Sequence, residues 1–289
     1  MKFVVDNLVK SYGKDSLVLD GASFEFEEGK IYGLLGRNGS GKTTLFNCIN
    51  GDIPYNSGEF HLEVDGVVRN LIPEDIGYVL STPTVPEFLT GYEFLKFFLD
   101  INEGAGSIVE AEKYFDMVRL KASDANKLMK NYSHGMKNKM QMLVNMLSKP
   151  NLLLLDEPLT SLDVVVAEEM KGLLREFKDG RITIFSTHLL DLAVDLCDEI
   201  VLLSKGVLTK VDHAALDDEG FKSRIIELLK EEDVDDEINI DVDPDVVAAE
   251  MDKHDAQTEA QTGWNSGAWN SVASDDVNSD EAVDENGNN

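Results

Sequence analysis

The alternation of apolar and polar positions changes character several times along the chain. Residues 1–35 carry strand signals and predict short strands. In that stretch "ASFEFEEG" alternates apolar with acidic residues, and "KIYGLL" is an apolar run leading into glycine-rich sequence. From Lys42 the apolar spacing becomes helical. "GEFHLEVDG" (58–66) then alternates again, and "DIGYVL" (75–80) reads as a further strand. Residues 90–149 hold helix-period segments only, with Phe94, Leu95 and Phe98 on one face. After them strands and helices alternate. "NLLLLD" predicts a strand, "VVVAEEMKGLLREF" a helix, "RITIFST" a strand and "LLDLAVDLCDE" a helix, while "IVLLSKGVLTKV" predicts a hairpin turning at Lys205-Gly206. Fully apolar strands alternating with helices imply an α/β fold whose parallel sheet is covered on both faces, with the helix-only block inserted into it.

The remainder changes composition. Residues 231–289 contain 19 acidic residues and one basic residue, Lys253. That is −18 of the formal −29 of the 289-residue chain, and leaves −11 for residues 1–230. Low hydrophobicity with one-sided charge predicts a disordered acidic tail. The body has no basic surplus that would draw it to nucleic acid or anionic lipid. No run of about 18 apolar residues predicts a membrane span, and the N-terminus has no signal-peptide pattern. The two cysteines, Cys48 and Cys197, are far apart in apolar-periodic contexts and read as buried free thiols in a reducing compartment.

The strongest chemical signal is "GRNGSGKT", Gly36 to Thr43, which fits G-x-x-x-x-G-K-[ST] between a predicted strand and a helical run. Gly36, Gly39 and Gly41 allow the backbone to curl so that successive N–H groups of Arg37, Asn38 and Ser40 converge on phosphate oxygens. The following helix adds its positive dipole end, beginning at Lys42, Thr43 and Thr44. Lys42 supplies a point charge for the outer phosphates, and the Thr43 hydroxyl suits Mg²⁺. A second signal is "LLLLDEP": Asp156, at the end of a buried strand, suits the metal's ligand set. Glu157 follows where a base could polarise an attacking water. His188 in "IFSTHLLD" falls just beyond another apolar strand and is predicted at the same sheet edge.

In this order the pieces resemble the ATP-binding subunit of ABC transporters, over about residues 1–212. The resemblance implies an α/β P-loop NTPase core with a mixed sheet, an N-terminal antiparallel β subdomain and an inserted α-helical subdomain at about 84–149. A C-terminal helical extension, 213–230, and the acidic tail would follow. It implies ATP and Mg²⁺ as cofactors, with Thr43 and Asp156 at the metal and Glu157, His188 and Lys42 as the catalytic set. Tyr12 in "VKSYG" matches the aromatic that stacks on adenine. Ser161, Leu162 and Asp163 match the loop that crosses to a partner cassette, and His188 matches the histidine that contacts the γ-phosphate.

"YSHGM" stands where the family carries its signature, usually L-S-G-G-Q. Ser133 and Gly135 survive, while Tyr132, His134 and Met136 are replacements. The surviving pair would grip, in trans, the γ-phosphate of a nucleotide held by a second ATPase subunit, identical or a paralogue. Ser81 occupies the usual glutamine slot, where a serine is too short to reach the metal without a bridging water. The expected protein is a cytoplasmic ATPase, peripheral on the inner face of the membrane, that drives a separate multi-span permease. By resemblance it looks like the ATPases of ABC-2-type exporters of a drug, antibiotic peptide or lipid-like compound. Two alternatives are a soluble non-transport ABC ATPase and an ATP-binding regulatory subunit with weak hydrolysis. No nucleic-acid partner is expected.

Overall fold

The computed structural model describes residues 1–13, 16–102, 105–159, 162–211 and, beyond these, Gly220, Ser223, Ile225 and Glu227. The chain divides into two units, Met1–Val242 and Asp243–Asn289, and every described residue belongs to the first. The expected tail, 231–289, and Ser161 lie outside the described residues, as does most of 213–230.

Two sheets organise the unit. The first is antiparallel, in the order β2-β1-β4-β5, built from β1 (Lys2–Tyr12), β2 (Ser16–Glu27), β4 (Ser57–Val64) and β5 (Val67–Arg69). The second has six strands in the order β10-β9-β3-β8-β7-β6. Its members are β3 (Ile31–Leu35), β6 (Ile76–Val79), β7 (Leu152–Asp156), β8 (Ile182–Thr187), β9 (Glu199–Ser204) and β10 (Val207–Val211). All neighbours in it are parallel except the terminal hairpin β9–β10, so the sheet is mixed.

Every residue of β3, β7 and β8 is buried, so the apolar runs read from the sequence are strands covered on both faces. Burying each leucine of β7 is worth about 1.5–3 kcal/mol. α1 (Lys42–Asn50) follows β3, and α6 (Val164–Glu176) and α7 (Leu190–Leu196) flank β8 in sequence. Between β6 and β7 lie α2 (Gly91–Ile101), α3 (Ala111–Met117), α4 (Ala122–Ala125) and α5 (His134–Leu147), with no intervening strand among the described residues. Phe94, Leu95 and Phe98 of α2 share one buried cluster with Met140 and Met146 of α5.

Two local expectations need correction, and one short strand had no counterpart among them. The N-terminal strands are long rather than short. β1 continues through a bulge at Asp6-Asn7, where Asn7 takes φ 49° and donates its N–H to Ser23 Oγ at 2.8 Å. The bulge shifts the inward phase, which hides the strand's length from a period-two reading. β5 follows the Asp65-Gly66 turn (φ 53° and 78°), but its three residues are too few and too exposed to show a pattern. The helix expected through Glu199 stops at Leu196. Asp198 pairs with β3 instead: its carboxylate accepts the Ile31 N–H at 2.8 Å and its own N–H donates to Ile31 O at 2.8 Å. The Lys205-Gly206 turn stands as expected, with φ 49° and 79°.

Candidate functional site

β3 lies between β8 and β9 at the centre of the six-stranded sheet, and its C-terminal end delivers Gly36 to Gly41 into α1. The loop tolerates no side chain at two of its glycines. A Cβ on Gly36 would stand 2.8 Å from Leu203 O, and one on Gly41, at φ 100°, would stand 2.7 Å from Val18 Cγ1. Gly41 caps α1 without a side chain, and the first turn carries no acidic residue. The start of α1 therefore carries no acidic side chain of its own that would oppose an anion. The Ser40 hydroxyl is buried with no hydrogen-bond partner among the described residues, a further polar group facing this loop.

Lys42 is 94 % buried, and its ammonium donates to the carbonyls of Gly36 (2.8 Å) and Arg37 (2.9 Å). It thereby cross-braces the loop it belongs to. Next along, the Thr43 hydroxyl donates to Asp156 Oδ2 at 2.8 Å. That hydrogen bond leaves the hydroxyl lone pairs for a cation, and both ligands are hard oxygens. No cluster of three or more His, Cys, Asp or Glu side chains gathers among the described residues. The pair thus fits a cation that keeps its water and phosphate ligands, which is the habit of Mg²⁺.

Asp156 ends β7, and Glu157 turns the chain away with φ 44°, a left-handed conformation that costs a non-glycine residue about 1–3 kcal/mol. The turn aims the Glu157 carboxylate back across the strand ends. Its oxygens stand 2.9 and 3.0 Å from His188 Nδ1, and Oε1 lies 3.9 Å from Lys42 Nζ. His188 is positioned by its neighbour, since Thr187 Oγ1 accepts the Leu189 N–H at 3.0 Å. The residues expected to be catalytic, Lys42, Glu157 and His188, are brought together.

Tyr12 is a different case. Its ring is buried, its hydroxyl stands 3.5 Å from Thr44 Oγ1, and the Lys10 ammonium lies 4.4 Å from the ring centroid. The ring is therefore packed in the interior with a cation against it.

Ser133 and Gly135 belong to the start of α5, a different element from the phosphate loop and α1. Ser133 is the exposed N-cap of α5 and accepts the Met136 N–H at 3.3 Å. Asp163 is the exposed N-cap of α6 and accepts the N–H groups of Val165 and Val166 at 3.1 Å each. The two helix starts are adjacent: a Cβ on Gly135 would stand 3.2 Å from Val166 Cγ1. The Lys139–Glu169 ion pair, 2.6 Å, holds the helices together. Ser133, Gly135 and Asp163 thus share one surface, beside the exposed side chains of Val164 and Val165.

Two functional candidates were not visible in the sequence. Ser186 is fully buried between Asp156 and Glu157. Asn138, on α5, donates to Pro158 O at 3.3 Å and so joins the helix of Ser133 to the turn that carries Glu157. Neither follows a motif, although Ser186 could have been found by counting two residues back from His188 into the strand before it. The thiols of Cys48 and Cys197 are both free; burial pushes Cys48 up to about 12 and Cys197 upward as well.

A phosphate-binding loop at the end of a central parallel strand, with an acidic pair and a histidine on the strand ends beside it, defines a P-loop ATPase cassette. The ABC transporter family model matches residues 19–160. An uncharacterised ABC transporter ATP-binding protein of Methanocaldococcus jannaschii is 34 % identical over 230 residues, covering 79 % of this chain and 83 % of its own. The tungstate uptake system ATP-binding protein of Peptoclostridium acidaminophilum is 32 % identical, covering 73 % and 99 %. The bacitracin transport ATP-binding protein of Enterococcus faecalis is 30 % identical, covering 73 % and 69 %. Among solved structures, an ATP-binding subunit of an ABC transporter superposes with a TM-score of 0.68 at 25 % identity, covering 79 % of this chain and 99 % of that one. The chain belongs to the ATP-binding proteins of ABC transporters, and it is an ATPase. Among the described residues no helix is long and apolar enough to cross a membrane.

Proposed function

We propose that this cassette works as a nucleotide-dependent dimer, with an identical or paralogous partner, and that ATP hydrolysis in it drives a separate multi-span permease of the ABC-2 exporter kind. The observation that carries the reading is the Glu157 carboxylate, fixed between His188 at 2.9 Å and Lys42 at 3.9 Å beside the phosphate loop. In this reading the backbone N–H groups from Gly36 to Thr44 cradle the phosphates, and Lys42 neutralises charge on the outer ones. Thr43 and Asp156 would hold Mg²⁺, which when bound supplies further neutralisation of the phosphate oxygens. Glu157 polarises the attacking water and His188 orients it against the γ-phosphate. By the resemblance, Tyr12 would stack on the adenine ring.

Two surfaces support the partners. The shared surface of Ser133, Gly135 and Asp163 presents polar helix starts and two exposed valines, which suits closure over a nucleotide held by a second cassette. Around α2 the apolar side chains of Phe88, Tyr92, Phe97 and Ile101 are exposed. Such a group suits a docking surface for a permease helix, and it would place the protein on the inner face of the membrane. The segment behind it is tied to the signature region, because Lys130 and Met129 donate their N–H groups to Glu87 O and Leu89 O at 3.0 and 2.8 Å. With Ser81 in the glutamine slot, that backbone ladder is the route by which docking would move Ser133. A drug, antibiotic peptide or lipid-like cargo is proposed from the resemblance and the bacitracin relative. Pull-down of the chain from native membranes tests the reading. Recovery of a multi-span protein together with ATPase activity is expected, and an active chain that brings down none would sink the transport role.

A further inference from the structure

We propose that Ser186 is a positioning residue for hydrolysis, whose single hydroxyl sets both the metal-side carboxylate of Asp156 and the backbone of Glu157. The inference rests on the reading of those two residues given above.

The parallel ladder places Ser186 directly opposite Asp156, one residue before the end of β8. Its side chain is completely buried. The hydroxyl donates its one proton to Asp156 Oδ1 at 2.6 Å and accepts the Glu157 N–H at 3.0 Å. The hydroxyl's single hydrogen is thereby committed to Asp156, and one of its lone pairs to Glu157. Asp156 Oδ2 is meanwhile held by Thr43 at 2.8 Å. Two hydroxyls, from α1 and from β8, therefore fix both oxygens of one carboxylate and set its plane.

Glu157 needs an anchor of its own. At φ 44° it lies where a side chain is disfavoured, and it is followed by Pro158, which has no N–H to offer the turn. The Ser186 hydroxyl is the acceptor for the N–H of this turn. Two residues on, the same strand end presents His188 to the Glu157 carboxylate. β8 thus holds Glu157 at both its backbone and its side chain. Periodicity alone would class Ser186 as a small core residue. Its hydrogen bonds instead place it between the two groups that the chemistry needs in fixed register, without itself reaching the phosphate site. Loss of the hydroxyl would leave Asp156 Oδ1 and the Glu157 N–H buried without this partner, and the carboxylates free to drift from register.

The test compares Ser186→Ala, Ser186→Thr and Glu157→Gln in steady-state ATPase assays, with cation affinity as a second readout. Ser186→Ala is expected to lower kcat about 10–100-fold while changing the KM for ATP by less than about threefold, because phosphate-loop contacts are untouched. Ser186→Thr, which restores the hydroxyl, should recover most of kcat. In the Glu157→Gln background, adding Ser186→Ala should weaken Mn²⁺ binding to the ATP-loaded chain about tenfold by electron paramagnetic resonance. If the threonine variant fails to fold, the alanine kcat-against-KM split and the Mn²⁺ titration decide the matter. Wild-type kcat and unchanged Mn²⁺ affinity in the alanine variant, beside an inactive Glu157→Gln, would overturn the role of Ser186 alone. Full turnover by Glu157→Gln would overturn the underlying reading and this proposal with it. Parallel loss of kcat, ATP affinity and melting temperature would show Ser186 to be packing only.

Discussion

His188 Nδ1 stands 2.9 and 3.0 Å from the two carboxylate oxygens of Glu157, across the ends of the adjacent parallel strands β7 and β8. Thirty-one residues of sequence separate them, and what closes that distance is strand register: the ladder pairs Asp156 with Ser186, so Glu157, one residue on, and His188, two residues on, leave neighbouring strand ends. The site is therefore a property of the sheet edge as much as of the phosphate loop.

Replacing Glu157 by Gln keeps the shape of the side chain and removes its charge. ATP binding should persist, because the loop and Lys42 are intact. Turnover should fall roughly 10²–10⁴-fold, the usual cost of losing one general base. The variant should also accumulate as an ATP-dependent dimer on size exclusion. Near-normal phosphate release would remove Glu157 from the role of base.

Ser133 supplies a second, independent probe. Its side chain is exposed and caps α5 by accepting the Met136 N–H at 3.3 Å, so an arginine there meets solvent rather than core. Ser133→Arg should leave ATP affinity of the monomer within about twofold and abolish both dimer formation and most turnover. Losing the cap itself costs only about 0.5–2 kcal/mol. Equal loss of affinity and turnover would mean that the start of α5 is structural.

How much of this was legible in the sequence depends on distance along the chain. Gly36–Thr43 and Asp156-Glu157 are local spacings tied to one strand each, and the backbone that they require is the backbone found. Burial of β3, β7 and β8 follows from their apolar runs. Hidden features are pairings set by register or by three-dimensional packing. Ser186 with Asp156, Asn138 with Pro158 and Lys10 over Tyr12 leave no periodic trace, because periodicity records which face is buried and not what lies across it. The bulge at Asn7 misled for a related reason: one extra residue resets the phase and cuts one strand into two apparent ones.

Gly33 sits mid-way along β3, where an added Cβ would meet Cys197 Sγ at 2.9 Å. Gly33→Ala should destabilise the cassette by about 1–3 kcal/mol through overpacking. Cys197→Ala removes the sulfur that clashes, so the double variant should recover part of that loss, with a coupling of about 0.5–3 kcal/mol. Urea denaturation of the four proteins measures it. Strict additivity would show that the strand shifts to accept the methyl group and that the sulfur is not the obstacle.

Asp75 offers a test that depends on pH. It is buried just ahead of β6, and its carboxylate collects four donors: Arg69 Nη1 and Nη2 at 2.5 and 2.7 Å, Asn151 Nδ2 at 2.6 Å and the Ile72 N–H at 3.0 Å. Arg69 comes from β5 and Asn151 immediately precedes β7, so this one side chain links the edge of the antiparallel sheet to the edge of the mixed sheet. Burial, the largest single influence, pushes the carboxyl upward, but the hydrogen bonds from Arg69, Ile72 and Asn151 and the arginine charge together hold it below the usual carboxylate range. A carboxyl depressed in the folded state stabilises fully above its unfolded value, about 3.9, and that stabilisation fades as pH falls through the folded value. Asp75→Asn should therefore cost about 1–3 kcal/mol at pH 7, since an amide cannot accept from every one of the four donors. The gap between wild type and variant should narrow progressively below about pH 4, where the carboxyl of the unfolded chain begins to bind its proton while the folded one still resists. Urea midpoints measured from pH 7 down to pH 3 give both numbers. A gap that stays constant over that range would show that Asp75 stabilises the fold through its shape and not through its charge.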